Sequence, residues 1–357
     1  MSTGAPELLL DLLRARGPSG YETAPATVWQ QAAGKFATAS TDVLGTPMAV
    51  VAAKHGFEQS PRRLLVMGHI DEIGLIVTHI DDEGFLWFRP VGGWDAQVLV
   101  SQRLLLDTSA GPVKGVVGRK PIHLQREPDS KKVAEIRDMH IDIGARDGAD
   151  ARKRVRIGDV AVIDCEPAEL PNGRLSSRAL DNRLGSYVAL EVARAVAEAE
   201  GGEWELAAVA AAQEEITFGG SRTSAFALEP DAAIVVDVTH ATDSPGMDVK
   251  EAGKHELGSG PVISRGSILN PALFELLHET GEAEKIPFTV EASGRTTGTD
   301  ADAVHLSRAG VPTALVSIPI RYMHSPVELV SLDDVQACVR LIAAAALRLE
   351  RQSSFAR

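Results

Sequence analysis

The chain has 357 residues, of which 44% are hydrophobic and 24% are charged, and its formal net charge is −13. This length predicts two domains, or one large domain with an insertion, and the composition is ordinary for a soluble globular protein. The acidic balance argues against nucleic acid or an anionic membrane as the main partner.

The two cysteines, Cys165 and Cys338, stand in no metal-like spacing, so the sequence indicates neither a disulfide framework nor a thiolate zinc site. We expect both to be small buried hydrophobic residues. The N-terminal stretch carries acidic residues and lacks the basic and apolar regions of a signal peptide, and no apolar run is long enough to cross a membrane. We therefore expect a soluble, cytoplasmic protein.

The first part of the chain predicts a helix followed by strands. Leucines at helical spacing predict a short helix over 6–16, ended by a Gly-Pro pair. Residues 36–54 have the pattern of two strands joined by a turn. Residues 62–74 have the pattern of an apolar strand that ends in polar residues.

The pattern changes between residues 75 and 167. Short β-like runs are broken by Gly, Pro and Asp, and only 130–139 and 147–153 suggest helices. Short strands at regular spacing are typical of a small β-barrel or sandwich. We predict an inserted all-β domain over 75–167, and a discontinuous catalytic domain formed by 1–74 and 168–357.

Strands and helices alternate in the rest of the chain. A long amphipathic helix is predicted over 182–200, and buried strands are predicted over 204–213, 231–239 and 312–320. Further helices are predicted over 221–227, 270–280, 301–309 and 332–351. This alternation indicates an α/β fold in which helices cover both faces of a sheet.

Acids and imidazoles follow the predicted strands at their C-terminal ends. In open α/β sheets this edge is where ligands bind, and carboxylates buried there without partners would be costly. No cluster of arginines or lysines accompanies these carboxylates, and Arg183 and Arg321 are the only close cationic candidates. A pair of divalent metals would compensate the negative charge. Imidazoles with carboxylates suit zinc, cobalt or manganese. The residues concerned are His69, Asp71, Glu72, Asp181, Glu214, Glu215, Asp237 and His324.

A two-metal centre would explain why Glu214 and Glu215 stand side by side although adjacent carboxylates repel each other. Two metals need a bridging carboxylate, a bridging water and a nearby base that is not a ligand. On a strand end, neighbouring side chains point in different directions, so one glutamate can bind metal while the other faces substrate and water. A carboxylate with a raised pKa can act as general base and then as general acid.

Eight motifs, in order, resemble those of the dinuclear metallo-aminopeptidases of the glutamyl aminopeptidase type, the TET peptidases, which include proteins once labelled endoglucanase M. The resemblance runs nearly end to end. The motifs are "GPSGYE" at 17–22, "TDVLG" at 41–45, "GHIDEIGLIV" at 68–77, "ALDNRLG" at 179–185, "QEEITFGG" at 213–220, "DAAIVVDVTHATDSPG" at 231–246, "GTDADAVHLSRAGVPT" at 298–313 and "SIPIRYMHSP" at 317–326.

The resemblance implies two divalent metal ions per subunit, with zinc first and cobalt or manganese as alternatives. It implies a zinc-peptidase-like mixed sheet between helices, and a barrel or PDZ-like insertion that takes part in assembly from dimer to dodecamer. It assigns His69 and Asp237 to one metal, Glu215 and His324 to the other, and Asp181 to the bridge. Glu214 matches the catalytic base, and Asp71 matches the acid that orients His69.

The chain departs from the family pattern in three places. Thr46 stands where relatives commonly have Asn, and Ser259 stands where they have a basic residue. Relatives usually show Gly, an apolar residue and Arg where this chain has Thr217, Phe218 and Gly219. None of these removes a metal ligand, so the departures concern the substrate pocket and the subunit contacts.

Several of these residues also have simpler interpretations. Asp181 could cap the following helix, and Asp237 could close a turn. His240 is a rival ligand close to Asp237. Thr299 and Asp300 are expected to cap the 301–309 helix, with a place in the pocket lining as the less favoured alternative. Glu72 is expected to make a structural hydrogen bond, and Asp243 to lie in a turn. Arg321 is expected either to form a salt bridge with the carboxylate cluster or to bind substrate.

The hypothesis is a metal-dependent aminopeptidase that releases N-terminal residues from peptides with a free N-terminus. Glu214 would deprotonate a metal-bridging water and protonate the leaving amine. An alternative is a deacylase, or N-acyl-amino-acid hydrolase, that uses the same centre. Glycoside hydrolysis, which needs two carboxyl groups and no obligatory metal, and a non-enzymatic scaffold are more distant alternatives.

Overall fold

A computed structural model describes residues 4–54, 62–124 and 133–356. The chain starts with α1 (Glu7–Arg14) and α2 (Thr23–Ala33), followed by β1 (Thr38–Thr41), β2 (Pro47–Val51) and β3 (Arg63–His69). The predicted first helix and these strands are confirmed. The helix α2 was not predicted, because a proline near its start obscures the pattern although proline is tolerated in a first helical turn.

The next elements form a barrel. They are β4 (Gly74–Ile80), β5 (Leu86–Val91), α3 (Ala96–Leu99), β6 (Arg103–Thr108), β7 (Gly111–Arg119), β8 (Met139–Asp142), α4 (Gly148–Ala151) and β9 (Val160–Ile163). Among the described residues the six strands close in the order β4-β5-β8-β7-β6-β9 around their own apolar core. The predicted barrel is therefore confirmed.

The helix predicted over 130–139 is wrong where the structure describes it. A single 3-10 turn spans Ile136–Asp138, and Met139 already begins β8, while 130–132 lie outside the described residues. Met139 and Ile141 are both fully buried, so this segment follows the alternation of a barrel strand rather than the period of a helix. The helix predicted over 147–153 is confirmed as one short turn, α4.

The second half of the chain alternates as predicted. Its first elements are β10 (Ala168–Leu170), β11 (Arg174–Ser177), α5 (Leu180–Glu198), β12 (Glu205–Ala211), α6 (Glu214–Thr217), α7 (Gly219–Leu228) and β13 (Ala232–His240). They are followed by α8 (Val249–Ala252), β14 (Val262–Gly266), α9 (Pro271–Ala283), β15 (Thr289–Ser293), α10 (Ala301–Val304), β16 (Thr313–Arg321), β17 (Glu328–Ser331) and α11 (Leu332–Leu347). The helix predicted over 301–309 is thus shortened to one turn.

A large mixed sheet organises this part of the protein. Its order in the described residues is β1-β2-β12-β3-β13-β16-β17-β11-β10, and β14 joins β16 and carries β15. The strands β12, β3, β13 and β16 are mutually parallel. Their carboxyl ends therefore meet at one edge, which is where an open α/β sheet places its ligands.

Helices cover both faces of the sheet. Along β3, Leu64 and Val66 pack in one apolar core with α1, α5 and α11, whereas Leu65 and Met67 pack in a second core with α7 and α10. This alternation is what a strand buried on both faces requires. The mixed α/β fold with a barrel is therefore as predicted.

The sequence also led to predictions about the cysteines and about membrane-spanning segments. Cys338 is fully buried in α11, as predicted, but Cys165 is only partly buried and packs against the edge of the barrel core. None of the described helices combines the length and apolar character that a membrane span needs.

Candidate metal centre

The carboxylate of Asp181 lies between two imidazoles. Its Oδ1 is 3.1 Å from Nε2 of His69, and its Oδ2 is 3.3 Å from Nε2 of His324. His69 is the last residue of β3, Asp181 lies in the first turn of α5, and His324 follows β16. Three elements that are distant in the sequence thus converge on one carboxylate.

A close contact between glycines brings β3 and α5 together. A Cβ atom at Gly68 would lie only 2.4 Å from the backbone carbon of Gly185. A larger residue at this position would push α5 away from the strand, and would separate Asp181 from His69. The glycine before His69 is therefore part of what builds the site.

The first side of the centre surrounds His69, which is 1% exposed. Its Nε2 atom lies 3.7 Å from Oε2 of Glu214 and 4.0 Å from Oδ1 of Asp237. Its Nδ1 atom lies 3.3 Å from Oδ1 of Asp71, on the side away from the cluster. Burial opposes a positive charge on His69, but the carboxylates of Glu214, Asp181 and Asp71 outweigh it and raise the pKa of the imidazole well above its usual value.

The second side of the centre contains His324 and Glu215. Their Nε2 and Oε1 atoms are 3.5 Å apart. The Nδ1 atom of His324 contacts the carbonyl oxygen of Gly93 at 2.8 Å, which fixes the ring so that Nε2 points towards the carboxylates. The hydrogen bond with Asp181 raises the pKa of His324 to about 9.

The carboxylates in this cluster have too few positively charged neighbours to balance their negative charge. Burial raises the pKa of Glu214 to about 10. The negative charges of Asp237 and Asp300 act in the same direction, whereas His69 acts against them. Burial and the nearby Asp181 raise the pKa of Glu215 to about 7, and burial raises that of Asp237 well above its usual value. The site therefore favours additional protons or metal cations.

Two groups of these residues have donor atoms close enough to share a metal ion. His69, Asp181 and Glu215 form one group, and His69, Glu214 and Asp237 form the other, each with ligand atoms within 4.8 Å of one another. A nitrogen and oxygen donor set of this kind fits a divalent transition metal. The second group includes Glu214, the residue that the sequence resemblance assigns to proton transfer rather than to metal binding.

The two glutamates do not lie on a strand end, contrary to the sequence interpretation. The strand β12 ends at Ala211, and Glu214 and Glu215 open the short helix α6. Asp71 accepts hydrogen bonds from both of their backbone N–H groups, at 3.0 and 3.1 Å. The carboxylate of Asp71 thus caps α6 while it faces His69, so it sets the positions of both glutamates and of the imidazole.

The simpler interpretations of Asp181 and Asp237 are wrong. The backbone of Asp181 and Asn182 is not helical, and Asn182 rather than Asp181 accepts the N–H of Gly185 at the start of the regular helix. Asp237 lies inside β13 rather than in a turn, and the strand continues to His240. Residues three apart on a strand face opposite sides, and His240 is exposed, so it is no rival ligand.

The arginines lie outside the cluster. Arg183 is fully buried and donates to Glu72, which Arg178 also contacts, so Glu72 is structural as expected. Arg321 makes two bonds with the carboxylate of Asp243, at 2.6 and 3.1 Å. The predicted salt bridge between Arg321 and the carboxylate cluster is therefore wrong, because the partner of Arg321 is Asp243, which lies outside the cluster.

Glu328 is a residue of the site that sequence reasoning missed. It is 2% exposed, and its two carboxylate oxygens accept the backbone N–H groups of His324 and Asp181. It therefore joins the loop that carries one imidazole to the start of α5. The only sequence feature that could have indicated this role is the position of Glu328 four residues after His324.

Asp300 is a neighbour of the site for which the sequence favours a helix cap over a place in the pocket lining. It precedes α10, but its side chain does not cap this helix, and Thr299 accepts the N–H of Ala301 instead. Asp300 is fully buried, and neither of its oxygens has a hydrogen-bond partner among the described residues. Burial raises its pKa to about 6. Its negative form contributes to the rise in the pKa of Glu214.

A pocket opens next to Asp181, Glu215 and His324. Its lining also includes apolar side chains from residues in and next to the barrel strands, namely Ile73, Trp94 and Ile163. The cluster is therefore reached from a cleft between the barrel and the large sheet.

Comparison with known proteins places this geometry in context. The family model described as M42 glutamyl aminopeptidase matches residues 49–341. A lysyl aminopeptidase from Pyrococcus furiosus is 35% identical over 344 residues, which cover 94% of each chain.

Two solved structures are similar over nearly the whole chain. One is a TET aminopeptidase from a marine sediment archaeon, Thaumarchaeota archaeon SCGC AB-539-E09, with a TM-score of 0.90, 33% identity and 96% of each chain covered. The other is the TET1 peptidase of Pyrococcus horikoshii, with a TM-score of 0.84, 32% identity, and 96% and 99% of the two chains covered. That peptidase can assemble into a tetrahedron or a large octahedral shell.

Proposed function

The chain belongs to the M42 glutamyl aminopeptidase family, and we propose that it is a metal-dependent aminopeptidase that removes N-terminal residues from peptides. The observation that carries this proposal is the Asp181 carboxylate between His69 and His324, with the adjacent glutamates of α6 facing it. Among the described residues, no lysine or arginine pairs with these carboxylates in place of a metal.

Five side chains would hold two divalent ions. His69 and Asp237 would hold one, Glu215 and His324 would hold the other, and Asp181 would serve both. The contact of each Asp181 oxygen with a different imidazole supports this division. When bound, the metals supply Lewis-acid polarisation of the scissile carbonyl and lower the pKa of the attacking water.

Glu214 is the proton carrier in this proposal. It sits on the first turn of α6, held through its backbone by Asp71, and its carboxylate reaches the His69 side of the cluster. A nearby dication would counter the burial that raises its pKa, so that the carboxylate accepts a proton from water and passes it to the leaving amine. Asp71 keeps His69 in place during this transfer.

The barrel would serve assembly. We infer that residues 75–167 form a separate unit that contributes to contacts between copies of the chain, and that 1–74 and 168–357 carry the catalysis. The TET1 peptidase of Pyrococcus horikoshii can assemble into a tetrahedron or a large octahedral shell, and the barrel of this chain has an apolar core of its own, separate from the cores of the large sheet. Sedimentation of the intact chain and of a chain without the barrel tests this assignment.

The proposed activity is tested with paired substrates on metal-reconstituted enzyme. Aminoacyl anilides with a free amine should be hydrolysed, and the same compounds with an acetylated amine should not. Chelation should abolish the activity, and zinc, cobalt or manganese should restore it. Preference for the acetylated substrates would overturn the aminopeptidase assignment in favour of a deacylase.

A further inference from the structure

The N-terminal segment 17–22 lies along the chain that follows β3. Pro18 forms a parallel bridge with Glu72, and backbone hydrogen bonds join Ser19 to Glu72 at 3.2 Å and Glu72 to Gly17 at 3.1 Å. The Glu72 carboxylate adds a bond to the N–H of Gly17 at 3.0 Å. This segment is therefore fixed to the residues just after His69.

Two side chains of the segment support the turn that bears Glu214 and Glu215, one directly and one through Asp71. The Ser19 hydroxyl donates to Oδ2 of Asp71, the carboxylate that caps α6. Oε1 of Glu22 accepts the N–H of Gln213 at 3.0 Å. Both side chains are 3% exposed.

Three successive N–H groups are thus held by two buried carboxylates. Glu22 holds Gln213, and Asp71 holds Glu214 and Glu215. The turn needs such support, because Gln213 has a φ of 60° and Phe218 a φ of 55°, in the left-handed region that residues other than glycine rarely adopt. Backbone in this region persists where the surroundings determine it.

We propose that Ser19 and Glu22 are positioning residues that clamp the 213–215 turn, and so set where Glu214 and Glu215 stand relative to the metal centre. Neither side chain belongs to the proposed ligand set. Glu22 acts directly on the turn, whereas Ser19 acts through Asp71. The expected effect on kcat and KM rests on the proposed function. The expected effect on metal affinity does not depend on which substrate the chain hydrolyses.

The test uses the full chain reconstituted with Co²⁺. Outer-shell partners typically contribute about 10- to 100-fold in metal affinity, so Glu22→Ala should weaken Co²⁺ binding by about 10-fold or more. It should also change the visible spectrum of the bound cobalt and lower kcat more than it raises KM. Ser19→Ala should act in the same direction with a smaller effect.

Two matched variants separate positioning from a general loss of structure. Glu22→Gln keeps an oxygen that can accept the N–H of Gln213, and burial already raises the pKa of Glu22 to about 7, so a neutral side chain should restore near wild-type affinity and spectrum. Tyr21→Phe removes a bond from the same segment to the barrel, at Gly158, and should leave both unchanged.

These experiments distinguish a failure of the clamp proposal from a failure of the proposed aminopeptidase function. If the chain proves to hydrolyse another substrate, the cobalt affinity and spectrum still report on the turn. Wild-type affinity, spectrum and kcat in Glu22→Ala would overturn the clamp. Glu22→Gln as impaired as Glu22→Ala would also overturn it, because the accepting oxygen would then not be what matters.

Discussion

The Nε2 atom of His324 lies 3.3 Å from Oδ2 of Asp181, although the two residues are 143 positions apart. The other oxygen of Asp181 faces His69. A single carboxylate therefore connects the two sides of the cluster, and the ends of β3 and β16 are joined through the first turn of α5.

Replacement of Asp181 by Asn should remove bound metal without unfolding the protein. Asn keeps the shape of the side chain but loses its charge and one of its two acceptor oxygens. We expect metal affinity and activity to fall by more than the roughly 10- to 100-fold typical of outer-shell partners. Metal content after dialysis and thermal unfolding check this together.

The control for Asp181 is Asp231→Asn. Asp231 accepts the N–H of Arg63 at the opposite end of β3, away from the cluster. This variant should retain its metal. Equal metal loss in both variants would show that carboxylates in general, rather than the bridge at Asp181, determine metal content.

Arg183→Met should lower the free energy of unfolding by about 3–5 kcal/mol, the usual effect of removing one partner from a buried ion pair. Arg183 is fully buried, donates to the carbonyl oxygen of Ala15 at 2.9 Å, and lies 3.2 Å from Glu72. Its loss leaves a buried carboxylate with Arg178 as its remaining guanidinium partner. Urea unfolding of the metal-free protein measures the change.

The matched control is Arg194→Met, on the same helix α5. Arg194 pairs with Glu191 at 3.1 Å, with both side chains partly exposed, so its contribution should be about 1 kcal/mol or less. Comparable destabilisation by the two substitutions would contradict the importance of burial at Arg183.

The metal-free protein should lose stability as the pH rises. The pKa of Glu215 is raised from 4.5 to about 7 by burial and Asp181, and that of His324 from 6.5 to about 9 by its bond with Asp181. Both groups bind protons more tightly in the folded state. Their contribution is complete below the unfolded pKa, and is lost as the pH passes about 7 for Glu215 and about 9 for His324.

Metal binding should show the opposite dependence, because the ligands must lose their protons first. Affinity should rise between about pH 6 and 9, with proton release visible as a buffer-dependent heat in calorimetry. His324→Ala should remove the upper part of this dependence, while the exposed His79→Ala should not. A pH-independent affinity would contradict the protonation of these groups in the metal-free site.

The sequence was sufficient for much of this site because its signals are local. His69, Glu214 and Asp237 follow or lie within apolar strands, and parallel strands bring their ends to one edge. Residues that act through tertiary contacts were harder to find. Glu328 and Arg178 carry no motif, and their roles depend on which backbone groups and carboxylates the fold places beside them.

Two errors have a common physical origin. The sequence pattern places Glu214 and Glu215 on a strand end, and it predicts a helix over 130–139. In the structure Asp71 caps a new helix that begins at Glu214, and β8 (Met139–Asp142) pairs with β7 and β5 of the barrel. Both outcomes depend on long-range partners that a window of local sequence does not contain.

The most direct test is the activity and metal content of Glu214→Gln. Removal of a general base should reduce kcat by about 10²- to 10⁴-fold on a free-amine aminoacyl anilide, while the bound metal per chain stays at the wild-type value. Glu215→Gln, by contrast, should lose metal as well as activity. Near-normal turnover in Glu214→Gln, or a loss of activity that follows a loss of metal, would contradict the assignment of proton transfer to Glu214.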